Sequence, residues 1–225
     1  MSTELLKTKI LEKDWLTHNV LRLRLERPTG YLFSAGQAVE LGMDTPKWKD
    51  VTAPFTLTGL ANESYLEFIL KVYPEHNGFT QALSELSIDS TLSITPAWDS
   101  FKYKGPGVFI AGGTGITPFI AIIRDLAHKE IPLSNHGLLW ANKTHDDIFL
   151  KDEFTQNLGE RFVNILSKEN HPEYKTGKLD ATFLGLQKLN VSQCFYICGP
   201  GSFSADIKKI LIDLGALENN IITDY

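Results

Sequence analysis

Residues 105 to 123, GPGVFIAGGTGITPFIAII, carry no charge over nineteen positions, and this run constrains the fold more than any other stretch. Nineteen uncharged residues are long enough to cross a bilayer as a helix. Five glycines and two prolines within the run argue against that, because a helix so interrupted leaves backbone groups unpaired in lipid. The run reads instead as a strand at VFIA, a Gly113-x-Gly115 turn, and a helix that Thr117 caps and Pro118 starts. The helix N-terminus then points at an open loop, whose unpaired amides and bare glycines suit a pyrophosphate. Pro118 stands at the third position of G-x-G-x-x-G and no Gly-Lys-Ser/Thr follows, so neither the dinucleotide fingerprint nor a Walker loop is matched. A tight strand-to-helix turn without a ligand is the competing reading. A second glycine loop closes the strand at YICGPGSF, and two such loops can face one ligand across the point where strand order reverses.

The 225 residues, 43% hydrophobic and 22% charged, suffice for one large domain or two of about a hundred residues. A net charge of −5 without a cluster of Lys and Arg gives no support to nucleic-acid binding. MSTELLKTKILEKDW intersperses charges where a signal peptide needs an apolar segment, so a cytoplasmic location is expected. Cys194 and Cys198 lie four residues apart on one strand, about 13 Å, too far for a disulfide. Two thiols also fall short of a zinc or iron–sulfur site, which leaves redox chemistry to an organic cofactor.

Up to residue 104 the pattern is β. In NVLRLRLER, Leu21, Leu23 and Leu25 alternate with charged residues, and in YLEFILKVY, Leu66, Phe68, Leu70 and Val72 share a face. QAVEL and TLSITPA add strands of a closed or sandwich-like antiparallel sheet, interrupted by one helical piece at FTQALSEL. From residue 105 strands alternate with helices: VFIA, GLLWAN, FVNIL, CFYIC and NIIT as buried parallel strands, with helices after Thr117, within DDIFLKDEFTQNL and along FSADIKKILIDLG. The expected division is therefore 1–104 and 105–225.

Seven landmarks stand in order along nearly the whole chain: FSAGQAVEL, APFTLTG, KVYPEHNGFTQAL, AGGTGITPFIAII, NILSKE, CGPGSF and ITDY. In these the chain resembles the ferredoxin-NADP reductase family, the flavodoxin reductases and their relatives. The resemblance implies an N-terminal flavin-binding antiparallel β-barrel and a C-terminal doubly wound α/β domain with five parallel strands, the active site lying between them. It implies flavin contacts at Pro54, Phe55 and Thr56, with the Thr56 hydroxyl reaching the reactive ring nitrogen, and further contacts at Lys71, Tyr73, Gly78, Phe79 and Thr80. It implies nicotinamide-nucleotide contacts at Gly113, Thr114, Gly115, Thr117, Pro118, Cys198, Gly199 and Pro200, with Ser167 and Lys168 at the adenosine 2′-phosphate. Thr56, Cys198 and Tyr225 would be the residues nearest the hydride path, Tyr225 lying against the flavin ring. One departure stands out: Ala53 occupies the place of the family's flavin-phosphate arginine, which implies weaker phosphate binding or a substitute such as Lys71 or His76.

The bland readings stay beside these: an ordinary strand at PFTLT, a solvated His76 or Lys168, a merely hydrophobic Cys198, an unordered Tyr225. What the resemblance implies for function is a reductase passing a hydride from NADPH, or from NADH, to bound FAD, with FMN the less favoured flavin, and then electrons to a ferredoxin or flavodoxin. Asn142 and Lys143, where an acidic residue would select NAD, add to the NADPH expectation. An NAD(P)H-dependent reductase of free flavin, a subunit feeding a larger oxygenase or dehydrogenase, and a nucleotide-binding module that has lost its flavin are the alternatives.

Overall fold

In the computed structural model, which describes residues 5–223, the chain builds two sheets. The first is antiparallel and comprises β1 (Leu6–Trp15), β2 (Val20–Glu26), β3 (Gln37–Met43), β4 (Thr52–Thr56), β5 (Tyr65–Lys71), β6 (Thr91–Ile94) and β7 (Trp98–Asp99). Its order is β4-β3-β6-β1-β2-β5, with β7 against β3. A bridge between Leu57 and Phe68 joins the continuation of β4 to β5, so the two ends of the path meet and the sheet closes as a barrel. The leucines of β2 and the Leu66, Phe68, Leu70 set of β5 fill its interior, as their alternation predicts. A short helix, α1 (Phe79–Glu85), follows β5.

The second sheet contains β8 (Gly107–Gly112), β9 (Gly137–Asn142), β10 (Phe162–Leu166), β11 (Lys175–Thr176), β12 (Cys194–Cys198) and β13 (Ile221–Thr223). All neighbours are parallel, in the order β11-β10-β9-β8-β12-β13. Six strands stand where five were expected, because Lys175 and Thr176 pair with Ile165 and Leu166 at the edge, a two-residue extension too short to leave a pattern. Four helices cover the sheet: α2 (Thr117–His128), α3 (Lys151–Leu158), α4 (Ala181–Leu186) and α5 (Phe203–Asp213). Phe109, Ala111, Leu138 and Trp140 meet α2 and α3 on one face, whereas Val108, Ile110, Leu139 and Ile165 meet α4 and α5 on the other.

The long uncharged run is now explained by burial on every side. Every residue of β8 is buried, and α2 buries Pro118 through Ile123. On one side α2 packs against the sheet, and the same core receives Val20 and Ile69 from the outer surface of the barrel. Among the described residues, no helix is long and apolar enough to cross a membrane. The expected cap is corrected here. A single 3-10 turn over Gly113–Ile116 leads into α2, whose N-cap position is Ile116 without a side-chain bond. Thr117 is already helical, and its hydroxyl donates to the Thr114 carbonyl at 3.2 Å.

Arg124, the first charge after the run, clamps the two halves together. Its guanidinium donates to Glu67 Oε1 of β5 at 2.6 Å and to the Thr58 carbonyl at 3.0 Å, both on the barrel. On its own side it grips the Glu153 carboxylate of α3 through two bonds of 2.5 and 2.7 Å. The Glu67 side chain is 3% exposed and also receives Arg24 at 3.2 Å. Burial acts against the Arg124 charge, but the bonds to Glu153 and Glu67 outweigh it and hold the guanidinium firmly protonated. Arg124→Ala removes the shortest partner of the buried Glu67 carboxylate and leaves it to Arg24 and the Thr58 hydroxyl, and we expect a loss of about 3 kcal/mol, read as a lower urea midpoint. An unchanged midpoint would show that the clamp does not bear on stability.

Candidate active site

The strand order reverses beside β8, because β9 lies on one side of it and β12 on the other. Loops leaving the C-terminal ends of β8 and β12 therefore diverge and frame a crevice, the usual ligand position in such sheets. A cleft of about 610 Å³ occupies this position. Its floor is the Gly112–Gly115 loop, one wall is Cys198, Gly199 and Pro200, and the far end is Asn142, Lys143 and Ser167. The barrel contributes Lys71 and Tyr73 to the opposite wall.

Two glycines shape this floor. Gly113 has φ +53°, and a Cβ built there meets nothing within 4 Å, so the backbone faces open space that a ligand can approach. Gly115 is in the reverse situation: a Cβ there would stand 2.3 Å from the Cys198 carbonyl oxygen. The two glycine loops touch, and only glycine permits it. The Trp140 indole, fully buried, donates to the Gly113 carbonyl at 2.8 Å and holds the loop from below.

At the barrel wall Lys71 pairs with Asp147 at 3.6 Å, and the two side chains are 17% and 10% exposed. Asp147 belongs to the loop after β9, where its carboxylate accepts from the Thr144 amide and hydroxyl. Burial alone would raise the Asp147 carboxyl, but the Thr144 amide, Lys71, the Thr144 hydroxyl and His18 prevail and hold it below the usual carboxylate range. Tyr73 and Thr114 both line the cleft, and burial and Glu75 keep the Tyr73 hydroxyl protonated beyond the ordinary tyrosine range.

Of the expected nucleotide residues, the cleft gathers Gly113, Thr114, Gly115, Thr117, Ser167, Cys198, Gly199 and Pro200. Pro118 is a correction: it is buried in the first turn of α2 and does not line the cleft. Lys168 is exposed and also outside the lining, whereas Lys143 is in it. Neither cysteine is in a disulfide, as their spacing on β12 requires.

The expected flavin residues assemble along the barrel edge. β4 has a ladder partner only in β3, and it carries Pro54 exposed with Phe55 and Thr56 half-buried. The antiparallel Leu57–Phe68 bridge sets this edge alongside the end of β5 that carries Lys71. An edge strand with open backbone groups beside an aromatic surface fits a planar, hydrogen-bonding ring system. Phe55 stacks on Phe79 at 6.2 Å, and Trp48 meets Phe79 edge-on at 5.6 Å. Gly78 is the N-cap of α1 and Phe79 and Thr80 form its first turn, with no side-chain cap bond.

The substitutes expected for the missing arginine both have neighbours of their own. Lys71 is engaged with Asp147, and His76 is two-thirds exposed, near Glu75 and stacked on Tyr73. The cation beside the Asn77–Gly78 turn is Lys47, whose ammonium donates to the Asn77 carbonyl at 3.2 Å. Lys47 and Asp147 were missed in sequence because no spacing marks them. Tyr225 lies outside the described residues.

Residues 109–209 match the family described as "Oxidoreductase NAD-binding domain". The chain is 29% identical over 181 residues to NADH--cytochrome b5 reductase 1 of Arabidopsis thaliana, an overlap of 75% of this chain and 64% of that protein. It therefore spans just under two thirds of that relative's length. Its fold is similar to the CS-b5R domains of human Ncb5or in the NAD+ form, with a TM-score of 0.84 and 26% identity over 100% of this chain and 71% of that one. A ferredoxin NADP+ reductase from Neisseria gonorrhoeae with bound FAD and NADP shares the same fold, with a TM-score of 0.83 and 20% identity over 98% of both chains. With the cleft at the switch point and the barrel closed against it, the chain has the two-domain fold of the ferredoxin-NADP reductase-like flavin and nicotinamide oxidoreductases, and its second half is similar to their NAD-binding domain.

Proposed function

We propose that this chain is an NAD(P)H-dependent flavoprotein reductase, with residues 1–104 holding FAD and residues 105–225 holding the nicotinamide nucleotide. One observation carries the reading: the two glycine loops and the barrel residues Lys71 and Tyr73 open onto a single cleft of about 610 Å³. When bound, a flavin accepts a hydride from the reduced nicotinamide and returns electrons one at a time. The chain's part is placement. Amides of the Gly113–Ile116 turn receive the pyrophosphate, and Cys198 presents a small side chain where the nicotinamide must approach the barrel. Phe55 and Phe79 offer an apolar face, Thr56 a hydroxyl, and Lys47 a charge beside the Asn77–Gly78 turn. The bound FAD of the Neisseria reductase and of a Malassezia yamatoensis flavohemoglobin favours FAD over FMN.

The finer assignments follow from charge. Lys143 and Ser167 close the far end of the cleft, and among the described lining residues the one carboxylate there, Asp147, is paired with Lys71. This favours NADPH; the Arabidopsis relative and its fungal counterparts, named for NADH, favour the other nucleotide. Those names also draw the acceptor toward a b-type cytochrome, and nothing in them supports the ferredoxin or flavodoxin expected from the resemblance.

The purified protein is expected to show a flavin absorption band that bleaches in anaerobic titration with NADPH at lower concentration than with NADH. A colourless protein that FAD and FMN both fail to reconstitute would overturn the reading, and a reversed preference would overturn the 2′-phosphate assignment. Gly115→Ala should weaken the nucleotide and leave the flavin band intact, because the new Cβ drives apart the loops at Cys198. Thr56→Ala should slow flavin reduction in stopped flow while nucleotide affinity stays unchanged; an unaltered rate would remove Thr56 from the site.

A further inference from the structure

Beyond the far end of the cleft, the loops that follow β9 and β10 bring three chemically suited side chains together. His145 lies two residues after Lys143, and Glu169 two residues after Ser167; both loops thus run directly outward from the cleft lining. His171 completes the group. One ligand atom from each of His145, Glu169 and His171 falls within 4.8 Å of the other two. The Glu169 carboxylate reaches His145 Nδ1 at 2.8 Å and also accepts from the His145 amide at 2.7 Å. The His171 ring stands 5.0 Å from the His145 ring, and the Glu173 amide donates to its Nδ1 at 3.2 Å.

His145 faces carboxylates from both nitrogens, since its Nε2 lies 3.1 Å from Asp146 Oδ1. A metal ion on one ring nitrogen leaves the other facing a carboxylate, the outer carboxylate–histidine arrangement that orients metal-bound imidazoles. Zinc bonds of about 2.0–2.2 Å in a tetrahedron set ligand atoms roughly 3.4 Å apart, so the widest gaps close and the Glu169–His145 contact of 2.8 Å opens. His145 and Glu169 sit on exposed loops, 46% and 25% exposed, where rotamer changes supply that closure.

We propose that His145, Glu169 and His171 form a binding site for a divalent transition-metal ion of the zinc type, which clamps the loop after β9 to the loop after β10. Two imidazoles and one carboxylate exclude magnesium and calcium, which take oxygen ligands, and suit zinc, cobalt or nickel. Three protein ligands leave a fourth position for water. The two loops are already in register, because the Ser167 amide bonds the Asn142 carbonyl and the Lys168 amide bonds that of Lys143, each at 2.9 Å. The ion continues this ladder where the backbone pairing ends. The site stands independently of the nucleotide reading, since its ligands lie outside the cleft.

The test is calorimetric titration of the tag-free full chain, stripped by a chelator, with zinc chloride. The wild type is expected to take up one ion per chain with saturable heat, unaffected by excess magnesium. His145→Ala and His171→Ala should each weaken it by at least about tenfold. His128→Ala, which removes an imidazole bonded to Asn62 and remote from these loops, should leave the affinity unchanged. Absence of a saturable one-to-one event in the wild type, or an equal loss in the His128 variant, would overturn the proposal. Cobalt gives a second readout: visible absorption of low-coordinate cobalt should form in the wild type and vanish in both ligand variants, and a spectrum that survives them would also contradict it.

Discussion

Everything at the cleft depends on Arg124. A hydride passes only between groups held close and in line, and here the two groups would be carried by different halves of the chain. The apolar contact of α2 with Val20 and Ile69 supplies area but little direction, since hydrophobic burial is roughly proportional to area alone. Arg124 adds direction. A planar guanidinium bound to Glu153 on one half, and to Glu67 and the Thr58 carbonyl on the other, tolerates few relative orientations. Buried ion pairs contribute little net stability, so the benefit of this one lies in fixing the angle between the barrel and the parallel sheet. Lys71–Asp147 repeats the device at the cleft itself, again with one partner from each half.

The second constraint is the approach of the two glycine loops. Gly115 lies against the Cys198 carbonyl, and Trp140 ties the Gly113 carbonyl to the sheet, so the cleft floor is built before any ligand arrives. Preorganisation of this kind spares the cost of ordering a loop at the moment of binding. It also explains why the run from 105 to 123 is so apolar: the strand, turn and helix that form the floor are enclosed by sheet, barrel and cleft, with no surface left for a charge until the clamp begins.

What the sequence discloses, and what it hides, divides along physical lines. β2 and β5 are legible because each buries one face in the barrel, and the leucine alternation follows directly. β1 escapes notice because it presents most of its side chains to solvent, with Thr8 and Ile10 its two buried residues, so LKTKILEKDW carries no period-2 signal. α4, whose Leu186 is exposed, escapes for the same reason. At the site, glycines and the Cys-Gly-Pro turn declare themselves through backbone demands that few other residues meet. Lys47 and Asp147 do not, since their places come from tertiary contacts with Asn77 and Lys71 that no local spacing encodes. The same logic accounts for Lys71, which reads as a phosphate ligand in isolation and becomes half of an ion pair once the second half of the chain is in place.

The central claim is that this cleft sets a nicotinamide directly against a flavin held at the barrel edge. Anaerobic stopped-flow bleaching at saturating nucleotide, comparing hydrogen with deuterium at the transferred position of the nicotinamide, tests it most directly. Direct transfer across the cleft predicts slower bleaching with deuterium. Equal rates with both nucleotides, or no bleaching at all, would contradict the account.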